Sequence, residues 1–267
     1  MPQRARSFLF VPGSRPERFD KALAAGADVV VIDLEDAVPP DAKDAARAAV
    51  AAWLAESRPV VLRVNATDTA WFSADLALAQ RPGVLGLMLP KAERAEQVLR
   101  AAAARVAILP MIETAQGFHN AQAMARVHGV ARLVFGTIDF QFDLGIAGDD
   151  EALLLFRSQL VLQSRLAGVA APVDGVTTAI DDAALLEADA RRARRLGFGA
   201  KLCIHPRQVA PVHRGFAPQP AELAWAQRVL DAAQAAGGAA VAVDGRMIDK
   251  PVMLRAEQIL RAAQGER

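Results

Sequence analysis

Hydrophobic positions along the chain gather into eight short runs separated by longer, alanine-rich amphipathic stretches. The runs are Ser7–Val11, Asp28–Leu34, Pro59–Val64, Val84–Leu89, Val106–Ile112, Leu133–Ile138, Pro172–Val176 and Ala200–Ile204. Their length and branched side chains predict strands, and the continuous apolar character of Asp28–Leu34 is that of a strand buried on both faces. Between them, Ala42–Ala55, Arg94–Ala104, Glu151–Ala167 and Asp182–Leu196 read as helices by propensity and periodicity. Eight strands alternating with helices predict a closed (β/α)8 TIM barrel. An open sheet would carry a Gly-rich dinucleotide loop after its first strand, and Val11-Pro12-Gly13-Ser14 is not one.

From about Arg214 the pattern changes. Ala217-Pro218-Gln219-Pro220 reads as a linker, Ala221–Ala236 as a helix stopped by Gly237-Gly238, and Val252–Ala263 as a last helix. The expected organisation is a barrel over residues 1–213 and a C-terminal helical extension over 214–267, able to cover the barrel mouth or a neighbouring subunit.

Chemistry concentrates where the runs end. Val106–Ile112 ends in Glu113 and Leu133–Ile138 in Asp139, which puts two carboxylates at neighbouring strand ends, a ready site for a hard cation. Taken singly, Glu113 also suits a helix cap and Asp139 a turn; their symmetric placement favours the cation. Arg15, Glu35, Asp36, Arg63, Asn65, Lys91, Glu93, Thr114, Thr137, Asp174 and His205 stand at or just beyond other run ends. Arg63 lies inside an apolar run, where a bare charge is costly unless paired. Carboxylates mixed with Arg63 and Lys91 suit a divalent cation holding an anionic, oxygen-rich ligand, with a guanidinium fork for its carboxylate. Phe10, Met88, Met111, Phe135 and Phe140 are candidates to shape the pocket.

Composition narrows the classes. A net charge of +1 leaves no global basic field for nucleic acid. One cysteine, Cys203, precludes an intrachain disulfide, and the four histidines lack zinc-ligand spacing. No apolar run approaches the ~20 residues of a membrane span, and no signal-like stretch precedes Ser7, so the expectation is a cytoplasmic protein. No serine-hydrolase elbow is present.

Eight segments taken together go further: FLFVPGSRPER (8–18), VIDLEDAV (31–38), LRVN (62–65), LPKAE (89–93), MIETAQG (111–117), FGTIDFQFDLG (135–145), IHPRQ (204–208) and DGRMIDKP (244–251). In this order, over nearly the whole chain, they resemble the citrate lyase β-subunit-like family of the HpcH/HpaI aldolase and malyl-/citramalyl-coenzyme A lyase group. The resemblance implies a Mg2+-dependent (β/α)8 barrel, usually a homotrimer, that makes or breaks a C–C bond in 3-hydroxy-3-carboxyalkyl thioesters. Glu113 and Asp139 would be the metal ligands, Arg63 would hold the substrate carboxylate, and Glu35 and Asp36 would support the metal's water shell. Gly136 and Thr137 would line the substrate, and Arg15 and Lys91 would lie where the thioester carrier enters. Asp249, which by pattern alone reads as a helix cap, would be a lid aspartate reaching an adjacent subunit and acting as proton donor, its pKa raised by burial. The carrier is open between coenzyme A and an acyl carrier protein. So is the outcome among lyase, thioesterase, pyruvate-type aldolase, a citrate lyase β subunit working with partner chains, and a non-catalytic assembly subunit.

Overall fold

The computed structural model describes residues 4–54, 58–148, 150–235 and 241–264. It forms two compact units, Met1–Arg214 and Gly215–Arg267. In the first, eight parallel strands close into a barrel in chain order: β1 (Ser7–Pro12), β2 (Val29–Asp33), β3 (Val60–Arg63), β4 (Val84–Leu89), β5 (Ala107–Ile112), β6 (Arg132–Phe135), β7 (Ala170–Asp174) and β8 (Ala200–Cys203). Closure is made by β1 pairing β8 through Ser7–Lys201, Phe8–Leu202 and Leu9–Cys203. The (β/α)8 expectation holds, and each of the eight apolar runs overlaps one strand, with β7 beginning two residues earlier than expected.

Side-chain direction alternates along a strand, and this period decides what the barrel interior contains. Phe8, Val29, Val31, Val61, Met88, Leu109, Met111, Val134, Val173, Ala200 and Leu202 form one buried cluster inside it. Each fully buried Val, Leu, Phe or Met of this kind contributes about 1.5–3 kcal/mol. Following the same alternation toward the carboxyl ends, Val29 and Val31 lead to Asp33, Val61 leads to Arg63, and Leu109 and Met111 lead to Glu113. The alternation that fills the core therefore aims three charged side chains into the barrel mouth.

Strand β6 departs from expectation. The apolar run suggested a strand continuing to Ile138, but β6 stops at Phe135, Gly136 breaks it, and a helix runs over Thr137–Leu144. Asp139 accordingly stands in the first turn of that helix and not at a strand end. Of the proposed pocket-shaping residues, Phe135 and Phe140 pack edge-on, with centroids 5.1 Å apart, in a cluster with Phe118 and Phe156. Met88 is buried in the barrel core. Only Phe10 and Met111 reach the cavity described below.

The second unit packs a helix, Pro220–Ala235, against another, Lys250–Gln264, with an antiparallel hairpin of Val241–Val243 and Arg246–Ile248. Ala226, Val229, Ile248, Ala256 and Ile259 form its core. The Gly237-Gly238 helix stop lies outside the described residues. Among those residues, no helix is long and apolar enough to cross a membrane.

Candidate active site

A cavity of about 400 Å³ opens at the carboxyl ends of the strands. Its polar wall comprises Asp33, Asp36, Arg63, Glu113, Gly136, Thr137 and Asp139; its apolar wall includes Phe10, Met111, Val176, Leu202 and Ile204. Glu113, Asp139, Arg63, Asp36, Gly136 and Thr137 are thus brought together as the sequence suggested. Glu35 and Lys91 join them through ion pairs. Arg15 does not line the cavity: it is exposed in the turn after β1 and pairs with Glu17 at 2.7 Å.

Glu113 is 2% exposed. Burial pushes its carboxyl up to about 8, the charge of Asp139 pushes the same way, and a bond from the Lys91 backbone N–H to Oε2 at 2.7 Å opposes them. The close fit around it requires a glycine at 136, since a Cβ there would collide with Glu113 Cγ and stand 2.7 Å from its Oε1. Lys91 itself adopts φ +49°, a left-handed conformation that costs a non-glycine residue about 1–2 kcal/mol. Two contacts hold it there: its N–H on Glu113, and its Nζ on Glu35 Oε1 at 2.5 Å. Lys91 therefore ties two acids together as well as standing at the rim.

Arg63 is paired, as its place in an apolar run demanded. The partner is one the sequence reading passed over. Asp33 takes the guanidinium side-on, Oδ1 from Nε at 2.7 Å and Oδ2 from Nη2 at 2.6 Å. Nη1 lies 3.2 Å from Glu35 and 3.7 Å from Asp36. The fork expected to be free for a ligand is thus occupied along Nε and Nη2, and its Nη1 edge is already shared with Glu35 and Asp36. Asp33 had a legible signal: it keeps the parity of Val29 and Val31 and is directly in register with Arg63.

Glu35 and Asp36 diverge in acidity. Burial raises Glu35 despite the pull of Arg63 and Lys91. Burial works upward on Asp36 too, but a hydrogen bond with Glu35, Arg63 and Lys91 outweigh it, and Asp36 ends low. Glu35 Oε2 is buried without a hydrogen-bond partner. The loop bearing these acids is also held by Lys43, missed in the sequence, whose Nζ donates to the Leu34 and Glu35 carbonyls, both at 2.7 Å.

The other strand-end candidates hold structure. Asn65 donates to Asp75 Oδ2 at 2.6 Å and to the Leu34 carbonyl, Thr114 caps the helix Ala115–His119, and His205 caps a short 3-10 turn. Asp174 is fully buried against Arg157 at 2.9 Å. Asp249, in the second unit, is exposed and accepts the Val252 N–H at 3.1 Å, the helix-cap role its pattern suggests.

Among the described residues, no three His, Cys, Asp or Glu side chains converge on a metal-sized point. A full protein cage is therefore absent from them. A buried Glu113 beside Asp139 instead fits a cation that keeps much of its shell in water or ligand oxygens, as Mg2+ does. Glu35 Oε2, which makes no hydrogen bond and faces Arg63 Nη1 at 3.2 Å, and the buried Glu113 are the kind of oxygens such a cation's shell takes up.

Residues 6–206 match the family model of HpcH/HpaI aldolase/citrate lyase. The chain belongs to that family. Membership carries lyase chemistry as a class, and it agrees with the family read from the motifs. Within the family, the chain is 40% identical to a citrate lyase subunit beta-like protein of Deinococcus radiodurans, over 97% of each chain. It is 35% identical to a (3S)-malyl-CoA thioesterase of Cereibacter sphaeroides, covering 97% of this chain and 94% of that one. Among solved structures it is similar to the Mycobacterium tuberculosis protein CitE in complex with magnesium, acetoacetate and coenzyme A. There the TM-score is 0.89 and the identity 36%, over 98% of this chain and 99% of the other.

Proposed function

We propose that the protein is a Mg2+-dependent carbon–carbon lyase acting on a 3-hydroxy-3-carboxyalkyl thioester of coenzyme A, of the malyl or citramalyl type. It would release a 2-oxo acid and acetyl-coenzyme A. The observation that carries this reading is the buried Glu113 lining one cavity together with Asp139, a clamped arginine and an apolar surface. It is supported by the relative solved with magnesium, acetoacetate and coenzyme A.

Glu113 and Asp139 would hold the metal, with Glu35 and Asp36 ordering water around it. When bound, Mg2+ supplies positive charge against the oxygens of the hydroxy acid and of the oxo acid formed from it. Arg63 binds the substrate carboxylate through its Nη1 edge, the one that Asp33 does not take. Asp36, exposed on the cavity wall, accepts the hydroxyl proton and shares it with Glu35, the stronger base of the pair. As the hydroxyl oxygen becomes a carbonyl, the C–C bond breaks and its electron pair moves into the thioester enolate. That enolate takes a proton on carbon from Asp249, in our reading delivered by the C-terminal unit of an adjacent subunit in a homotrimer. The apolar wall of Phe10, Met111, Val176, Leu202 and Ile204 accommodates the substituent on the hydroxyl-bearing carbon and keeps water from the enolate.

A second reading, thioester hydrolysis, is favoured by the (3S)-malyl-CoA thioesterase among the relatives. One assay separates the two. The protein is incubated with Mg2+ and malyl- or citramalyl-coenzyme A, and 2-oxo acid and free thiol are followed together. Oxo acid without thiol, abolished in Glu113→Ala and reduced at least about 100-fold in Asp249→Asn, is the lyase result. Thiol without oxo acid overturns it in favour of hydrolysis.

A further inference from the structure

Asp33 is 1% exposed, yet it borders the cavity. Its carboxylate accepts four hydrogen bonds. Oδ1 takes Arg63 Nε at 2.7 Å and the Glu35 backbone N–H at 2.9 Å; Oδ2 takes Arg63 Nη2 at 2.6 Å and the Ala37 N–H at 3.1 Å. An ionised carboxylate offers about four acceptor sites. Asp33 has none left for a metal, a water or a substrate, so it is neither ligand nor base. What its contacts share is that each fixes a group proposed above to meet the substrate: the guanidinium, and the loop bearing Glu35 and Asp36.

We propose that Asp33 is the positioning residue of this site, locking Arg63 side-on so that its remaining edge meets the carboxylate of a 2-hydroxy or 2-oxo acid. The proposal rests on the lyase reading for its ligand. Two competing acids make the lock necessary. Glu35 and Asp36 already stand 3.2 and 3.7 Å from Nη1, and without Asp33 the guanidinium would turn fully onto them and withdraw its Nη1 edge from the cavity. The ring of Phe10, 4.9 Å from the guanidinium carbon, limits the planes it can adopt. Charge alone does not achieve this, because a bidentate contact fixes a plane and a single contact does not.

The test is Asp33→Asn, alone and with Arg63→Ala. In proton–nitrogen correlation spectra of arginine side chains, the Arg63 Nε–H of the wild type should be a slowly exchanging resonance, identified by its loss in Arg63→Ala. Asp33→Asn should abolish that protection. With malyl- or citramalyl-coenzyme A and Mg2+, Asp33→Asn should raise KM about 10- to 100-fold with a smaller change in kcat. In the Arg63→Ala background it should change KM by less than about threefold. An unchanged Nε–H resonance in Asp33→Asn overturns the proposal, as does an effect that multiplies fully in the double variant. If the wild type cleaves neither thioester, the lyase reading fails and the resonance still decides whether Asp33 fixes Arg63. Should Asp33→Asn not fold, Arg63→Lys replaces it: the charge stays and the two-pronged contact goes, so a wild-type KM in that variant overturns the proposal.

Discussion

Proton release on metal binding is the most direct prediction of the proposed ligand role of the buried Glu113. Burial and the Asp139 charge hold its carboxyl near 8 without metal, against about 4.3 for an ordinary glutamate. A group whose folded pKa is raised binds its proton more tightly in the folded chain than in the unfolded one. The stability it gives is complete below about pH 4 and is lost as pH climbs to about 8, a span worth on the order of 5 kcal/mol. Mg2+ needs the ionised carboxylate, so its apparent affinity should follow the ionised fraction: about a half at pH 8, about a tenth at pH 7, about a hundredth at pH 6. Binding should therefore weaken about 50-fold from pH 8 to pH 6, and release about 0.9 proton per metal at pH 7. Calorimetric titration of Mg2+ into chelator-stripped protein, in two buffers of different ionisation enthalpy, reads both quantities. In Glu113→Gln, binding should be at least about tenfold weaker and lose its pH dependence. Affinities equal within twofold at pH 6 and pH 8, or no proton released at pH 7, would refute the reasoning that Glu113 is protonated before it takes the metal, and wild-type affinity in Glu113→Gln would refute its assignment as a ligand.

Two other perturbations test separate parts of the framework. Gly136→Ala places a methyl against the Glu113 side chain; it should cost about 1–3 kcal/mol of stability in urea unfolding and weaken Mg2+ binding at least about tenfold, both on the same preparation. Asp174→Asn removes the buried carboxylate that faces Arg157 at 2.9 Å and Lys201 at 3.6 Å and should cost about 3–5 kcal/mol in the same unfolding experiment.

How far the molecule was legible in its sequence depended on which period a residue belonged to. The eight strands were readable because each is short, apolar and flanked by breakers or caps. The end of β6 was not, since Leu133-Val134-Phe135-Gly136-Thr137-Ile138 looks continuous, while in the fold Ile138 is 48% exposed on a helix. Asp139 was therefore found as a candidate for the cavity and assigned to the wrong element. Asp33 was passed over because Asp28–Leu34 reads as a strand buried on both faces, which hides the parity that separates inward from outward positions. The same parity explains why Phe10 and Met111 reach the cavity and Phe135 does not. Lys91 was legible as a strand-end cation, but nothing local to it announces a left-handed backbone or a bond to Glu113, 22 residues away. Asp249 lies in a separate unit, and its cap was readable from the proline that follows it.

The four bonds on Asp33 also bear on the thermodynamic character of recognition. Ordering a long side chain on binding typically costs about 0.5–1.5 kcal/mol. Arg63 and the Glu35–Ala37 loop are already immobilised by folding, and Lys91 is held by two further contacts. On the proposed reading, an incoming acid thus meets a surface with little rotational freedom left to lose. Its discrimination should reside in enthalpy, in whether its own oxygens fit a rigid arrangement of charge, and an acid one carbon longer should find no compliant side chain to adapt to it.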